Sequence, residues 1–170
     1  SGGVLADNDK IYFVPFRSTT MLVFDPVTGG TDDSSFVVSS TVAAWWGAVL
    51  GDDGNVYGTP YYAASVLVFN PTTNASDTTS LLVPSDTTKW VDGVKAANGI
   101  IYGMPYDMDK VLMISTSASP SVDFTTMTVP SSSNKWRGGV LAKNGKIYGI
   151  PASYAAMLII DPVANTVDFT

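Results

Sequence analysis

Three tryptophans, Trp45, Trp90 and Trp136, recur at intervals of 45 and 46 residues, and further rings lie downstream of each site in Tyr61-Tyr62, Tyr106 and Tyr154. An aromatic ring stacks against the apolar C–H face of a sugar, while neighbouring charges and hydroxyls bond its hydroxyl groups. Asp107, Asp109 and Arg137 stand close to these rings in the chain. The first candidate chemistry is therefore carbohydrate recognition, with Trp45, Trp90, Trp136, Tyr61, Tyr62, Tyr106 and Tyr154 as platforms and Asp107, Asp109 and Arg137 as polar partners. A plainer reading competes with it. A ring that returns in every unit can equally be packing cement, and the Tyr and Phe residues that differ between copies are then the better functional hint.

The carboxylates suggest two other chemistries. Asp7 with Asp9, Asp52 with Asp53, and Asp107 with Asp109 could offer oxygen ligands to Ca2+, which takes six to eight of them. No EF-hand spacing accompanies them, and Asp52-Asp53-Gly54 reads as a turn, so no cofactor and no metal site are expected. Asp107 and Asp109 as a glycosidase pair would have to flank a bond at roughly 5 Å or 6.5–9.5 Å, which near neighbours in one loop rarely do. The chain has no His, Cys, Glu or Gln. Ser-His-Asp, thiol and the usual zinc chemistries thus lack their residues, and the expectation is that the protein is not an enzyme.

Composition sets the frame in which these residues sit. Of 170 residues, 45% are hydrophobic and 14% charged, which suits a folded domain and not a disordered one. Thr, Val, Tyr, Asp and Gly favour strands and tight turns over helix, so the expected class is all-β. The net charge of −6 repels phosphate backbones and anionic lipid, which argues against nucleic acid as a partner. No apolar run approaches the ~20 residues of a spanning helix, and membrane insertion is not expected.

A repeat organises the whole chain. Gly3-Val4-Leu5, Ala48-Val49-Leu50, Gly93-Val94-Lys95 and Gly139-Val140-Leu141 each precede a tyrosine, Tyr12, Tyr57, Tyr102 or Tyr148, with a proline three residues beyond it. An apolar run follows in each copy, as in Val66-Leu67-Val68-Phe69, and in three copies it ends in Asp-Pro or Asn-Pro (Asp25-Pro26, Asn70-Pro71, Asp161-Pro162). Each unit predicts four strands: A, the Gly-Val-Leu stretch; B, carrying the tyrosine, joined to A by tips such as Asn98-Gly99; C, the apolar run; and D, a Ser/Thr-rich outer stretch. Four antiparallel strands per repeat of this length predict a β-propeller of four blades, spanning 1–46, 47–91, 92–137 and an incomplete 138–170. A β-solenoid is the alternative. The four tyrosines fall at one fixed phase and are expected in the blade core. The alternating chain sends the B-to-C and D-to-A connections, with Phe16-Arg17, Trp46 and the candidate rings, to one face, and the A-to-B and C-to-D turns to the other.

Lys146-Ile147-Tyr148-Gly149-Ile150-Pro151, followed by Met157-Leu158-Ile159-Ile160-Asp161-Pro162-Val163-Ala164-Asn165-Thr166-Val167, resembles the Tyr-Val-Thr-Asn (YVTN) type of β-propeller repeat. Pro stands here where that family's name has Asn. The resemblance covers all four units and implies surface-layer or secreted propellers that act as binding or scaffolding modules, commonly with about seven blades. Four blades would close as a small ring or add blades from elsewhere, and the phase of both ends matches an excerpt from a longer array.

The expected localisation is extracellular or at the cell surface, on the Ser/Thr-rich acidic composition and on Asn74-Ala75-Ser76, an N-glycosylation sequon. Expected partners are glycans or further copies of the chain. The alternative function is a structural repeat of an extracellular fibre, surface layer or adhesive stalk, assembled head to tail.

Overall fold

The computed structural model describes residues 2–39, 45–85 and 88–170. Its strands are β1 (Gly3–Leu5), β2 (Ile11–Phe13), β3 (Leu22–Phe24) and β4 (Thr31–Asp32), then β5 (Trp45–Leu50), β6 (Val56–Pro60), β7 (Leu67–Asn70) and β8 (Ala75–Asp77). They continue as β9 (Trp90–Lys95), β10 (Ile100–Pro105), β11 (Leu112–Ser115), β12 (Ser121–Asp123), β13 (Trp136–Leu141), β14 (Ile147–Pro151), β15 (Leu158–Asp161) and β16 (Thr166–Phe169). Each run of four is one antiparallel sheet in chain order, and no helix occurs among the described residues. The four predicted blades are present, and stacked solenoid coils are not.

Turn chemistry fixes each sheet locally. The A-to-B tips place Gly54, Gly99 and Gly145 at φ of 76–78°, the left-handed region that glycine enters without a Cβ penalty. The first blade uses Asp9 there, at φ 61°. In the C-to-D turns Asp25, Asn70 and Asp161 each accept two backbone N–H groups through one side-chain oxygen, at 2.9–3.2 Å. That contact is the physical content of the Asp-Pro and Asn-Pro repeats. Asn74, the sequon residue, is the left-handed residue of such a turn, at φ 59°, and it is exposed.

The first strands of successive sheets, β1, β5, β9 and β13, pack on one another in that order, so they form the inner rim. Among the described residues no packing of comparable extent returns from β13 to β1, and the four blades form an open arc. Between neighbouring blades the contact is a knob in a hole. The residue two places after each strand-B tyrosine is the knob: Val14, Thr59 and Met104. The hole is a register pair of small residues on the next blade, Ala48 with Gly58, Gly93 with Gly103, or Gly139 with Gly149. A Cβ on Gly93 would lie 3.0 Å from Thr59 Oγ1, and one on Gly139 3.0 Å from Met104 Sδ. Tyr12, Tyr57 and Tyr102 are buried as expected, whereas Tyr148 is only half-buried; their hydroxyls are bonded at the A-to-B tips by Asn8, Asp53, Asn98 and Asn144 at 2.8–3.0 Å.

Blade boundaries shift from those read in the sequence. Trp45, Trp90 and Trp136 open strand A of a new sheet and do not end the preceding one, because each is needed inside. Their relative exposures are 3%, 0% and 0%. Each indole Nε1–H donates to a carbonyl twenty residues on, to Ser65, Lys110 and Ala156, at 2.7, 2.7 and 2.9 Å. The fourth sheet also has all four strands, so it is not incomplete in that sense.

Two stability measurements test this packing. Trp136→Phe leaves the Ala156 carbonyl without its indole donor and opens a void, and is expected to cost about 2–3 kcal/mol in urea unfolding. Thr59 Oγ1 is buried with no hydrogen-bond partner, while the equivalent knob of the first interface is Val14. Thr59→Val is therefore expected to gain about 1 kcal/mol.

Candidate ligand-binding face

The bulge that turns each tryptophan inward also builds the face above it. Register slips between Trp45 and Ala48, between Trp136 and Gly139, and opposite Gly103/Met104 in the third blade. The extra residue is Gly47, Asp92 or Gly138, each at positive φ (89°, 63° and 76°). A bulge re-aims its neighbours, so the residue after each tryptophan, Trp46, Val91 or Arg137, points away from the core ring before it. Trp46 and Val91 join Phe16, Tyr61 and Tyr106 from the B-to-C loops in one cluster.

These rings interleave across three blades. Phe16 meets Trp46 edge-on at 4.8 Å between centroids and Tyr61 at 5.7 Å; Trp46 to Tyr61 is 5.4 Å, and Tyr61 to Tyr106 is 5.9 Å. Tyr62 stands edge-on to Tyr61 at 4.6 Å and stacks over Phe16 at 6.5 Å. Two arginines bracket the set. Arg17 Cζ lies 5.5 Å from the Phe16 centroid and Arg137 Cζ 5.1 Å from that of Tyr106, and Arg137 donates to the Tyr106 hydroxyl at 2.7 Å. Burial among these rings, with Tyr62, Tyr106 and Asp107 nearby, pushes the Tyr61 hydroxyl up to about 12.

The backbone beneath is stitched from blade to blade. Lys89 N–H donates to Tyr61 O and Lys89 O accepts from Tyr106 N–H; Lys135 N–H donates to Tyr106 O and Lys135 O accepts from Ala152 N–H, all at 2.8–2.9 Å. Both lysine side chains are buried. Burial pulls the Lys135 ammonium below its ordinary value, against the opposing pull of Asp107 and Asp109.

Several sequence-derived site residues therefore change role. Trp45, Trp90 and Trp136 offer no platform, since their rings are enclosed between blades and their N–H groups are spent on backbone. Tyr154 packs against Trp136 at 5.0 Å, away from the ring cluster. Asp107 accepts from Asn134 N–H at 2.7 Å and from the Thr88 hydroxyl, so it braces connections instead of facing a ligand. Asp109 is exposed. Asp52 is paired with Lys95 at 2.7 Å and Asp53 with Asn55 and Tyr57, so these two carboxylates are already engaged. Among the described residues no three metal-ligating side chains gather. What remains on the open face is Tyr62, 51% exposed, with half-buried Phe16 and Trp46 and the exposed Arg17 and Arg137.

Asp92 was not singled out by spacing. It is the bulge residue where two other blades have glycine, and a Cβ on Gly47 or on Gly138 would lie 2.5 or 3.2 Å from its carboxylate oxygens. It accepts the Gly93 N–H at 2.9 Å, and burial nonetheless raises its carboxyl above the ordinary 3.8. The signal was present in Trp-Val-Asp-Gly set against Trp-Trp-Gly-Ala and Trp-Arg-Gly-Gly. On the opposite side, clefts of about 360 and 380 Å³ at Asn8/Asp32/Asn74 and Asn98/Asp123/Asn165 recur in register, as grooves of the repeat do.

No protein-family model matches the chain, and no curated protein matches it. Solved structures do. Virginiamycin B lyase from Staphylococcus aureus superposes with a TM-score of 0.80 at 8% identity, covering 99% of this chain and 54% of its own. A streptogramin B lyase gives 0.76 at 12%, covering 99% and 53%, and an auxiliary nutrient binding protein from Bacteroides ovatus gives 0.70 at 14%, covering 98% and 46%. The chain spans about half the length of these proteins. The likeness defines the class as a β-propeller and shows the fold alone. It also corrects the expectation that the chain is not an enzyme, because the same blade frame serves lyases, and missing His and Cys do not remove it from an enzyme-bearing fold.

A pH comparison tests the placement of Asp92. Because its folded value is raised, the penalty is absent well below pH 3.8, grows as pH passes through the unfolded value towards the folded one, and is complete above it. Asp92→Asn is expected to gain more stability relative to wild type at pH 7 than at pH 3 in paired denaturant titrations. Asp92→Gly, which also relieves the left-handed backbone, should add about 1 kcal/mol more.

Proposed function

We infer that the protein is an extracellular propeller binding module that takes a carbohydrate on the face carrying Tyr62, Trp46 and Phe16, between Arg17 and Arg137. The observation that carries this is the exposed Tyr62 ring standing over an interleaved aromatic set, on loops whose residues differ between blades while the frame beneath them repeats. Rings give a sugar an apolar surface, and the two guanidinium groups give its hydroxyls or acid groups donors. The likeness to an auxiliary nutrient binding protein from Bacteroides ovatus is compatible with such a role, and kinship with YVTN-type repeats belongs to the same proposal.

A glycan array with the intact chain tests the binding reading. Binding to at least one carbohydrate class is expected, weakened about tenfold or more by Tyr62→Ala and by Trp46→Ala, each with unchanged circular dichroism. An array with no binder, or a binder indifferent to both variants, removes the proposal.

A further inference from the structure

Cations of two kinds are sorted to the two faces of the blades. Lysines at the A-to-B and C-to-D turns are matched with carboxylates: Lys95 with Asp52 at 2.7 Å, Lys146 with Asp161 at 3.2 Å and Lys10 with Asp25 at 4.0 Å. The chain has only two arginines, Arg17 and Arg137, against fifteen aspartates. Among the described residues neither arginine forms an ion pair. Each lies instead over a ring of the aromatic face, Arg17 at Phe16 and Arg137 at Tyr106, and both are exposed. Arg17 follows Phe16 as Tyr62 follows Tyr61, and Arg137 follows its tryptophan as Trp46 and Val91 follow theirs. The repeat therefore does not require arginine at either place.

The carboxylates nearest this face are otherwise engaged. Asp107 accepts from Asn134 N–H and the Thr88 hydroxyl, the buried Lys135 ammonium is drawn to both Asp107 and Asp109, and Asp92 lies beneath, where burial disfavours its charged form. Arg137 spends one N–H on the Tyr106 hydroxyl, at 2.7 Å. A guanidinium carries five N–H donors in a planar fork that fits a carboxylate or sulfate with two parallel bonds, and stacking on a ring leaves that edge available. The arginines stand at opposite ends of the ring set, with Tyr61 between Phe16 and Tyr106 at 5.7 and 5.9 Å. Resting on the carbohydrate reading of this face, we propose that its ligand is an acidic oligosaccharide, one sugar ring stacked on Tyr62 and acid groups to either side held by Arg17 and Arg137. A chain of net charge −6 repels polyanions over the rest of its surface, so affinity for one depends on these two side chains.

The test compares acidic sugars with uncharged counterparts by titration calorimetry on the intact chain: oligogalacturonate with its methyl ester, sialyllactose with lactose, and sulfated carrageenan oligosaccharides with neutral agarose ones. At least one acidic member is expected to bind about tenfold or more tighter than its counterpart, and the pair in which this happens tells carboxylate from sulfate. Arg17→Gln and Arg137→Gln should each remove about tenfold of that affinity with unchanged circular dichroism, and Lys143→Gln, an exposed cation at an A-to-B tip, should remove none. Should Arg137→Gln disturb Tyr106, Arg17→Gln decides alone. The proposal is overturned if every neutral member binds as tightly as its acidic partner, or if folded arginine variants keep full affinity while Tyr62→Ala loses it; the carbohydrate reading survives both results. Absence of binding to any sugar, charged or neutral, overturns the two together.

Discussion

An indole N–H bonded to a carbonyl twenty residues away is the contact from which the rest of this structure follows. Made by Trp45, Trp90 and Trp136, it ties the start of each inner strand to the end of the B-to-C loop of the same blade. The loop would otherwise be held only by its own turns, and the ring would be a large surface in search of cover. Enclosing it satisfies both the ring's area and its single donor, which is why tryptophan and no smaller ring suits the place. The same seat forces the strand to spend an extra residue before regular pairing resumes. From that bulge come the positive φ of Gly47, Asp92 and Gly138 and the outward aim of the residue between.

The aromatic face is thus built on the fastening, with Tyr61 and Tyr106 buried inside it and Tyr62 exposed above them. Beneath it the Lys89 and Lys135 backbones join loops of adjacent blades, which ties together the loops that carry the rings. The blades contribute to this face unevenly. Rings concentrate over the first three blades, while the fourth blade presents Ala152 and Ser153 in the corresponding loop. Asp92 shows the other side of the bargain: a carboxylate kept in a left-handed, partly desolvated position where two sister blades carry glycine, at a cost in stability that packing does not explain.

Much of this was legible in the sequence. The strand order, the hairpin tips and the buried tyrosines followed from period and turn chemistry, because those are local properties that four copies repeat in register. The tryptophans were legible as a set but ambiguous in role: recurrence is shared by a platform and a fastener, and only the twenty-residue hydrogen bond separates them. The blade boundary was misplaced for the same reason, since a bulge lengthens strand A by residues that break its alternation. Asp107 resembled a ligand partner because its bonds, to Asn134 and Thr88, lie 27 and 19 residues away, beyond what neighbouring letters reveal. Asp92 was readable only by subtracting one repeat from another.

The knobs between blades carry a geometric consequence. Val14, Thr59 and Met104 differ in volume, yet each meets a pair of residues with almost no side chain. A larger knob against the same floor pushes the inner rims apart and widens the wedge between two sheets; a smaller one lets them close. The angle through which the arc turns then depends on three side-chain volumes. The circumference of any ring built from these blades would be written in single residues at the tyrosine-plus-two position, and a propeller could change its blade number by altering those residues before it ever duplicated or lost a repeat.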